Sequence, residues 1–240
     1  MKKTLISKKT KTEFVSVVAH QLQAPLTAVS WYVKMILSGD VGQVTPDQKK
    51  YLEEIQKGNK RMMGLVNTLL NISRLELKTF KIEPESVDLV GVAESVLDDL
   101  KMQISVKKIV FTKNYDISLL KISTDSKLIR MVFQNLLGNA VKYVGVGGKI
   151  DFDISRGASD ILIKIWNNGV SIPKEAQSKI FTEFFRDDLA KKKESDGNGL
   201  GLYIVKSVLK KMGGKVWFES DDAQGTVFYV SLPVEGVKKK

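Results

Sequence analysis

Cysteine is absent from the 240 residues, and histidine occurs once, at His20. The first absence excludes disulfides and thiolate metal sites, and the second excludes a multi-histidine metal centre. Apolar residues make up 43% of the chain. No run of them approaches the roughly 20 that a membrane helix needs. The start, MKKTLISKKTKTE, carries lysines with no apolar stretch behind them, so a signal peptide is not expected. A cytoplasmic location is the expectation, and any membrane anchoring is left to segments absent from this chain. The N-terminal lysines would suit the first residues inside a membrane.

Acidic residues are outnumbered, and the formal net charge is +11. The basic runs sit at Lys2/Lys3, Lys8/Lys9/Lys11, Lys191–Lys193 and Lys238–Lys240. These are chain ends and a loop, not one face of an element. They read as solvated charge, and no nucleic-acid partner is expected.

What is present falls into two halves. Residues 12–77 read as two long helices. In the first, Val15, Val18, Leu22, Leu26, Val29, Val33 and Ile36 step by 3 or 4 residues. In the second, Leu52, Ile55, Asn59, Met62, Val66, Leu69 and Ser73 do the same. Both are seams of near-heptad period. SGDVGQVTPD between them holds two glycines and a Thr-Pro-Asp helix start. The expectation is an antiparallel helical hairpin over 1–78. It carries more apolar surface than two helices can bury, so a homodimeric four-helix bundle follows. Asn59 on the seam suits a register device.

Residues 79–86 read as a linker, and residues 87–240 as a second domain. There, 88–105 looks helical, KIVFTKN reads as a strand, and DSKLIRMVFQNLLGNAVKYV is a strong helix with Asp125 near its start. GKIDFDISRGASDILIKIW alternates as a hairpin, Gly199–Met212 is helical, and KVWFES with TVFYVSL forms a last hairpin. Helices and strands intersperse without repeated βαβ units, so an α+β sandwich is the class.

His20 lies in FVSVVAHQLQAPLTAV. At about 100° per residue it points away from Val18 and Leu22, hence into water. An exposed neutral imidazole is a good nucleophile near pH 7; from this residue alone, an idle surface histidine is an equal reading. Pro25 removes a backbone donor and kinks the helix nearby.

Three segments of the second half carry phosphate chemistry in combination. Asn135 and Asn139 sit one turn apart on a helix, with Lys142 on the next turn. Amide oxygens can ligate Mg²⁺ and an ammonium can meet a phosphate. Taken alone, a solvated helix face is the commoner reading. WNNGVSIP turns sharply after a strand, setting Asn167 beside the close approach that Gly169 permits. GNGLGLYIVK is a glycine-rich loop feeding a helix start, where amides and the helix dipole suit phosphate. RDDLAKKKESD, without apolar anchors, has the composition of a lid.

In this order, His20, Asn135/Asn139, Asn167–Ile172, Phe181–Arg186 and Gly197–Leu202 resemble the H, N, G1, F and G2 boxes of bacterial two-component sensor histidine kinases. The resemblance covers nearly the whole chain. It implies a dimerisation and phosphotransfer hairpin followed by a Bergerat-type ATP-binding domain. It implies ATP and Mg²⁺ as cofactors, autophosphorylation of His20, and transfer to an aspartate of a response regulator. By similarity, Asn139 and Asn135 handle the metal, Lys142 meets the phosphates and Tyr143 lies against the nucleotide. Asn167 stands in the adenine-reading place, in a box running through Gly169 to Ile172. Phe184, Phe185 and Arg186 belong to the F box at the base of the lid. Gly197, Gly199, Leu200, Gly201 and Leu202 form the loop around the phosphates. Asn135 also replaces the glutamate that water-splitting relatives use as a general base, which favours transfer to an imidazole.

Four positions depart from the family pattern. Gln21 follows the histidine where an acid is usual, and Ala24 stands where Thr or Asn is common. Asn167 replaces an aspartate, and Ser171 replaces the second G1 glycine. They motivate an alternative reading, a dimeric pseudokinase or scaffold of the same fold with little turnover. A charged acceptor in place of Asn167 is expected to tighten ATP several-fold.

Overall fold

The structure, a computed structural model, describes residues 2–76, 82–116, 121–187 and 197–236, with side chains from 12 to 73 in the first stretch. The chain divides into two compact units, 1–81 and 82–240.

The first unit is a hairpin of α1 (Lys2–Leu37) and α2 (Pro46–Glu76). α2 opens on a reciprocal capping box. Thr45 N donates to Gln48 Oε1 at 2.8 Å, and Gln48 N donates to Thr45 Oγ1 at 3.2 Å. Pro46 at the first helical position needs no donor there. Three cross-links set the antiparallel register. Ser73 Oγ donates to Thr12 O at 3.0 Å, Gln23 Nε2 to Asn67 Oδ1 at 2.9 Å, and Asn59 Nδ2 to Leu26 O at 2.8 Å. Asn59 is only 2% exposed.

The expected seam is corrected in part. Inside the hairpin, Ala19, Val33, Val66 and Leu70 are buried, with Leu26 and Leu69 packed beside them. Val18, Leu22, Val29, Ile55 and Met62 stay 39 to 49% exposed. The largest apolar stripe therefore does not join α1 to α2. Helices approach most closely over small residues, and Ala19 takes that place while the larger side chains flank it.

The second unit is an α+β sandwich. A five-stranded sheet runs in the order β2 (Val110–Tyr115), β4 (Lys149–Arg156), β5 (Asp160–Asn167), β7 (Gly225–Pro233), β6 (Lys215–Asp221). β2 and β4 are parallel, and the other pairs are antiparallel. The predicted hairpins are β4–β5 and β6–β7. A small pair, β1 (Glu85–Val87) with β3 (Ile122–Thr124), has no counterpart in the sequence reading. It begins within the stretch read as linker, and three residues are too few to show a period.

α3 (Leu89–Val106) and α4 (Ser126–Tyr143) start on aspartate caps. Asp88 accepts from Gly91 N at 3.0 Å and Asp125 from Leu128 N at 3.1 Å. α5 (Lys174–Gln177) is one turn, and α6 spans Gly201–Lys211. Alternate residues of β4 and β5 are buried: Ile150, Phe152 and Ile154, then Ile161, Ile163 and Ile165. Phe133 of α4 meets Phe152 edge-on at 5.8 Å, which seats α4 on that face. Among the described residues no helix is long and apolar enough to cross a membrane.

Candidate functional site

His20 is exposed on α1, immediately after the buried Ala19. Gln21 and Ala24 are exposed on the same stretch. The two links from α2 lie on either side of Pro25, at Gln23 and at the carbonyl of Leu26. They brace the helix where Pro25 withholds a donor. The sequence reading had Asn59 as a register device but gave no sign of Asn67, which finds its partner only when the hairpin closes.

The second unit has a cleft of about 280 Å³ between α4, the end of β5 and the start of α6. Asn135, Asn139, Lys142 and Tyr143 line it from α4. Asn167, Ser171 and Ile172 line it from the β5 end, and Phe185, Arg186, Gly197, Gly199, Gly201 and Leu202 close the far side. Three expected residues are not on the wall. Leu200 is buried in the core at 1% exposure, Phe184 points out at 64%, and Gly169 sits behind the rim. The lid expected over 186–196 lies mostly outside the described residues; Arg186 and Asp187 line the cleft.

The rim is built by close backbone approach. A Cβ on Gly169 would lie 2.6 Å from Tyr143 O and 2.7 Å from Asn167 Oδ1, so only glycine lets the β5 end touch the end of α4. Gly199 has φ +69°, and a Cβ there would lie 2.7 Å from the Phe184 carbonyl carbon. The glycine loop is thus pressed against the Phe184–Phe185 backbone. Arg186 Nη1 donates to Gly197 O at 2.8 Å and ties the same two segments.

Asn167 is 4% exposed and satisfied at both ends: Oδ1 accepts from Gly169 N at 3.1 Å, and Nδ2 donates to Thr226 O at 3.3 Å. Thr226 also lines the cleft, and its hydroxyl pairs with Ser220 Oγ at 2.7 Å. Both were missed in the sequence. Ser220 in turn accepts from Ile172 N at 2.8 Å, and Ser171 Oγ donates to Asp222 Oδ1. The end of β6 and the turn after it therefore support the segment that follows β5.

For a divalent cation the donor set is oxygen from amides. Asn135 Nδ2 donates to Met131 O at 2.8 Å, which leaves its Oδ1 beside Gly201. Asn139 lines the cleft, and no hydrogen bond to a described residue engages its amide. One or two side-chain oxygens, completed by phosphate and water, match what Mg²⁺ takes. No cluster of His, Cys, Asp and Glu suited to another metal occurs among the described residues. At the start of α6 the N-cap residue Leu200 offers no capping side chain, and its own amide donates to Asn198 Oδ1 at 3.0 Å; a helix start of this kind suits an anion.

Residues 10–78 match the family described as His Kinase A (phospho-acceptor) domain, and residues 124–236 match histidine kinase-, DNA gyrase B- and HSP90-like ATPase. The two matches, in that order, carry His20 and the cleft respectively. The chain belongs to the sensor histidine kinases.

A curated histidine kinase, sensor protein kinase WalK of Staphylococcus saprophyticus, is 30% identical over 229 residues, covering 94% of this chain. The chain spans 37% of that relative's length. Among solved structures, full-length ShkA in complex with AMPPNP superposes with a TM-score of 0.78 at 23% identity, over 94% of this chain and 46% of that one. Histidine kinase ThkA in complex with response regulator protein TrrA gives 0.63 at 23% identity, over 98% of this chain and 67% of that one. Both establish a shared histidine kinase fold.

Proposed function

We propose that this chain is a protein-histidine kinase core: it takes the γ-phosphoryl of ATP onto His20 and passes it to an aspartate of a response-regulator receiver domain. The observation that carries the reading is the cleft, where the N, G1, F and G2 segments line one cavity, in a chain whose only histidine stands exposed on a helical hairpin. Residues 1–78 serve dimerisation and phosphotransfer, 79–86 link, and 87–240 bind ATP. A homodimer is supported by the apolar stripe of Val18, Leu22, Val29, Ile55 and Met62 left uncovered by the hairpin. A cytoplasmic setting suits ATP as substrate. The scaffold alternative finds no support in the comparisons.

In this mechanism Lys142 and the amides of α6 hold the phosphates, Asn167 accepts from the adenine amino group, and Tyr143 lies along the nucleotide. Gly197, Gly199 and Gly201 let the backbone approach the phosphate chain. Asn139 and Asn135 hold Mg²⁺, which when bound neutralises charge on the phosphate oxygens. An unprotonated ring nitrogen of His20 attacks the γ-phosphorus, the bond to the β,γ-bridging oxygen breaks, and ADP leaves. Gln21 can accept a hydrogen bond from the ring but cannot take its proton, which departs to water. Incubation with γ-labelled ATP and Mg²⁺ tests the reading. The label should be lost in acid and survive base; base-labile, acid-stable label would overturn it.

The contacts of Asn167 add a stability cost to one expectation. An aspartate there would gain about 1 kcal/mol as a charged acceptor for adenine. It would also lose the donor to Thr226 O and set a buried carboxylate oxygen against that carbonyl, a cost of about the same size. That cost is present with or without ligand, so Asn167→Asp should lower the melting temperature of the free protein and still tighten ATP several-fold. Calorimetry showing weakened ATP binding would mean that Asn167 does not accept from the adenine amino group.

Ala24 concerns the reverse reaction. Its methyl group cannot orient a water, whereas a hydroxyl four residues after the histidine could. Slow dephosphorylation of the regulator is expected, with Ala24→Thr faster by on the order of 10- to 100-fold. Decay of the phosphorylated regulator in the presence of ADP measures it, and equal, brisk rates would place the water elsewhere.

A further inference from the structure

One lysine finishes two helices. α3 ends in a Schellman motif: Ile109 N donates to Ile104 O and Lys108 N to Ser105 O, both at 3.0 Å, with Lys108 at φ 51°. This closure makes Lys107 the C-cap of α3. Its amide donates to Gln103 O at 3.1 Å, and its carbonyl accepts from Gly147 N at 2.8 Å. The backbone of Lys107 is thereby held from both sides, and its side chain starts from a defined point.

From that point the ammonium reaches the far end of α4. Lys107 Nζ donates to Val141 O at 2.8 Å, Lys142 O at 2.9 Å and Val144 O at 3.3 Å. The neighbouring carbonyls are taken too, Ala140 O by Val144 N at 3.1 Å and Tyr143 O by Val170 N at 3.5 Å. A helix normally leaves its last carbonyls without partners. Here those of residues 140–144 all have protein donors, and three share one cation. A positive charge at this end also complements the helix dipole.

The turn so capped is part of the cleft wall. Lys142 and Tyr143 line the cleft, and Tyr143 O is the atom against which Gly169 is wedged. We infer that Lys107 is a positioning residue of the nucleotide site, whose ammonium holds the last turn of α4 where Lys142, Tyr143 and the β5 end meet the ligand. The inference rests on the reading of the cleft as an ATP site. Lys107 itself does not line the cleft and acts through the helix it caps. Without the ammonium, three partly buried carbonyls must recruit water, and the last turn loosens.

The test is Lys107→Met, which keeps the stem and removes the charge, in the full chain. Arg130→Met is the control. It cuts other links between α3 and α4, Arg130 Nη2 to Asp99 at 2.6 Å and Nη1 to Ser95 Oγ at 2.9 Å, away from the capped end. ATP binding by calorimetry, and the ATP dependence of autophosphorylation, are measured well below each melting temperature. Lys107→Met should raise Kd and KM about tenfold, with kcat within about twofold, while Arg130→Met lowers Tm and leaves Kd at the wild-type value. If Lys107→Met does not fold, Lys107→Gln keeps a neutral donor and should raise Kd about threefold. A folded variant with lowered Tm but wild-type Kd, or equal Kd rises in the Lys107 and Arg130 variants, overturns the proposal. Wild type that binds no ATP overturns the nucleotide reading itself, and this proposal with it; where wild type binds ATP, failure of the expected Kd rise counts against Lys107 alone.

Discussion

Replacing His20 with alanine abolishes labelling from γ-labelled ATP, by at least roughly a thousandfold, because no second imidazole exists in the chain. The fold should hold. His20 is exposed on α1, and its side chain makes none of the contacts that join α1 to α2. Alanine is the better helix former, so stability should stay within about 0.5 kcal/mol of wild type. ATP affinity should not change either, since the cleft lies wholly within the second unit. The decisive combination is a variant with normal melting and normal ATP binding that takes no label. Acid-labile label persisting in His20→Ala would remove His20 from the mechanism.

Gly169→Ala is the second large effect, and it acts where the β5 end meets α4. The added methyl would lie 2.6 Å from Tyr143 O, 2.8 Å from Tyr143 C and 2.7 Å from Asn167 Oδ1. Two of these are backbone atoms of a helix end held by other bonds, and the third belongs to a buried amide pinned at Thr226. None can retreat cheaply. The β5 end must instead move off α4, giving up the bonds from Gly169 N to Asn167 Oδ1 and from Val170 N to Tyr143 O. Overpacking of this kind costs about 1–3 kcal/mol in stability. The adenine-reading amide moves with the strand end, so ATP Kd should rise on the order of 10- to 100-fold. Calorimetry with ATP beside a thermal melt measures both. Wild-type affinity in this variant would show that Asn167 and Gly169 take no part in holding the nucleotide.

Much of this protein is written in local pattern. The steps of 3 and 4 residues over 12–77 specify two helices, and Thr45-Pro46 places the start of the second. The alternation in KIDFDISR and DILIKIW specifies a hairpin with one buried face. Asn135, Asn139 and Lys142 share a helix face because the α-helical period puts them there. These features need only neighbours along the chain. Tertiary structure alone decided the rest. Two apolar stripes run side by side on α1, and periodicity measures hydrophobicity without saying which stripe meets α2; the small Ala19 won because it allows the closest approach. β1 and β3 are too short to show a period and exist because they pair. Asn167 and Thr226 are far apart in sequence and become partners only when β5 lies beside β7. Lys107 reads as one lysine among many, and it caps α4 because the Schellman turn aims it there. The physical reason is common to all four: each bond joins groups whose separation is set by chain closure, and composition and period carry no term for that distance.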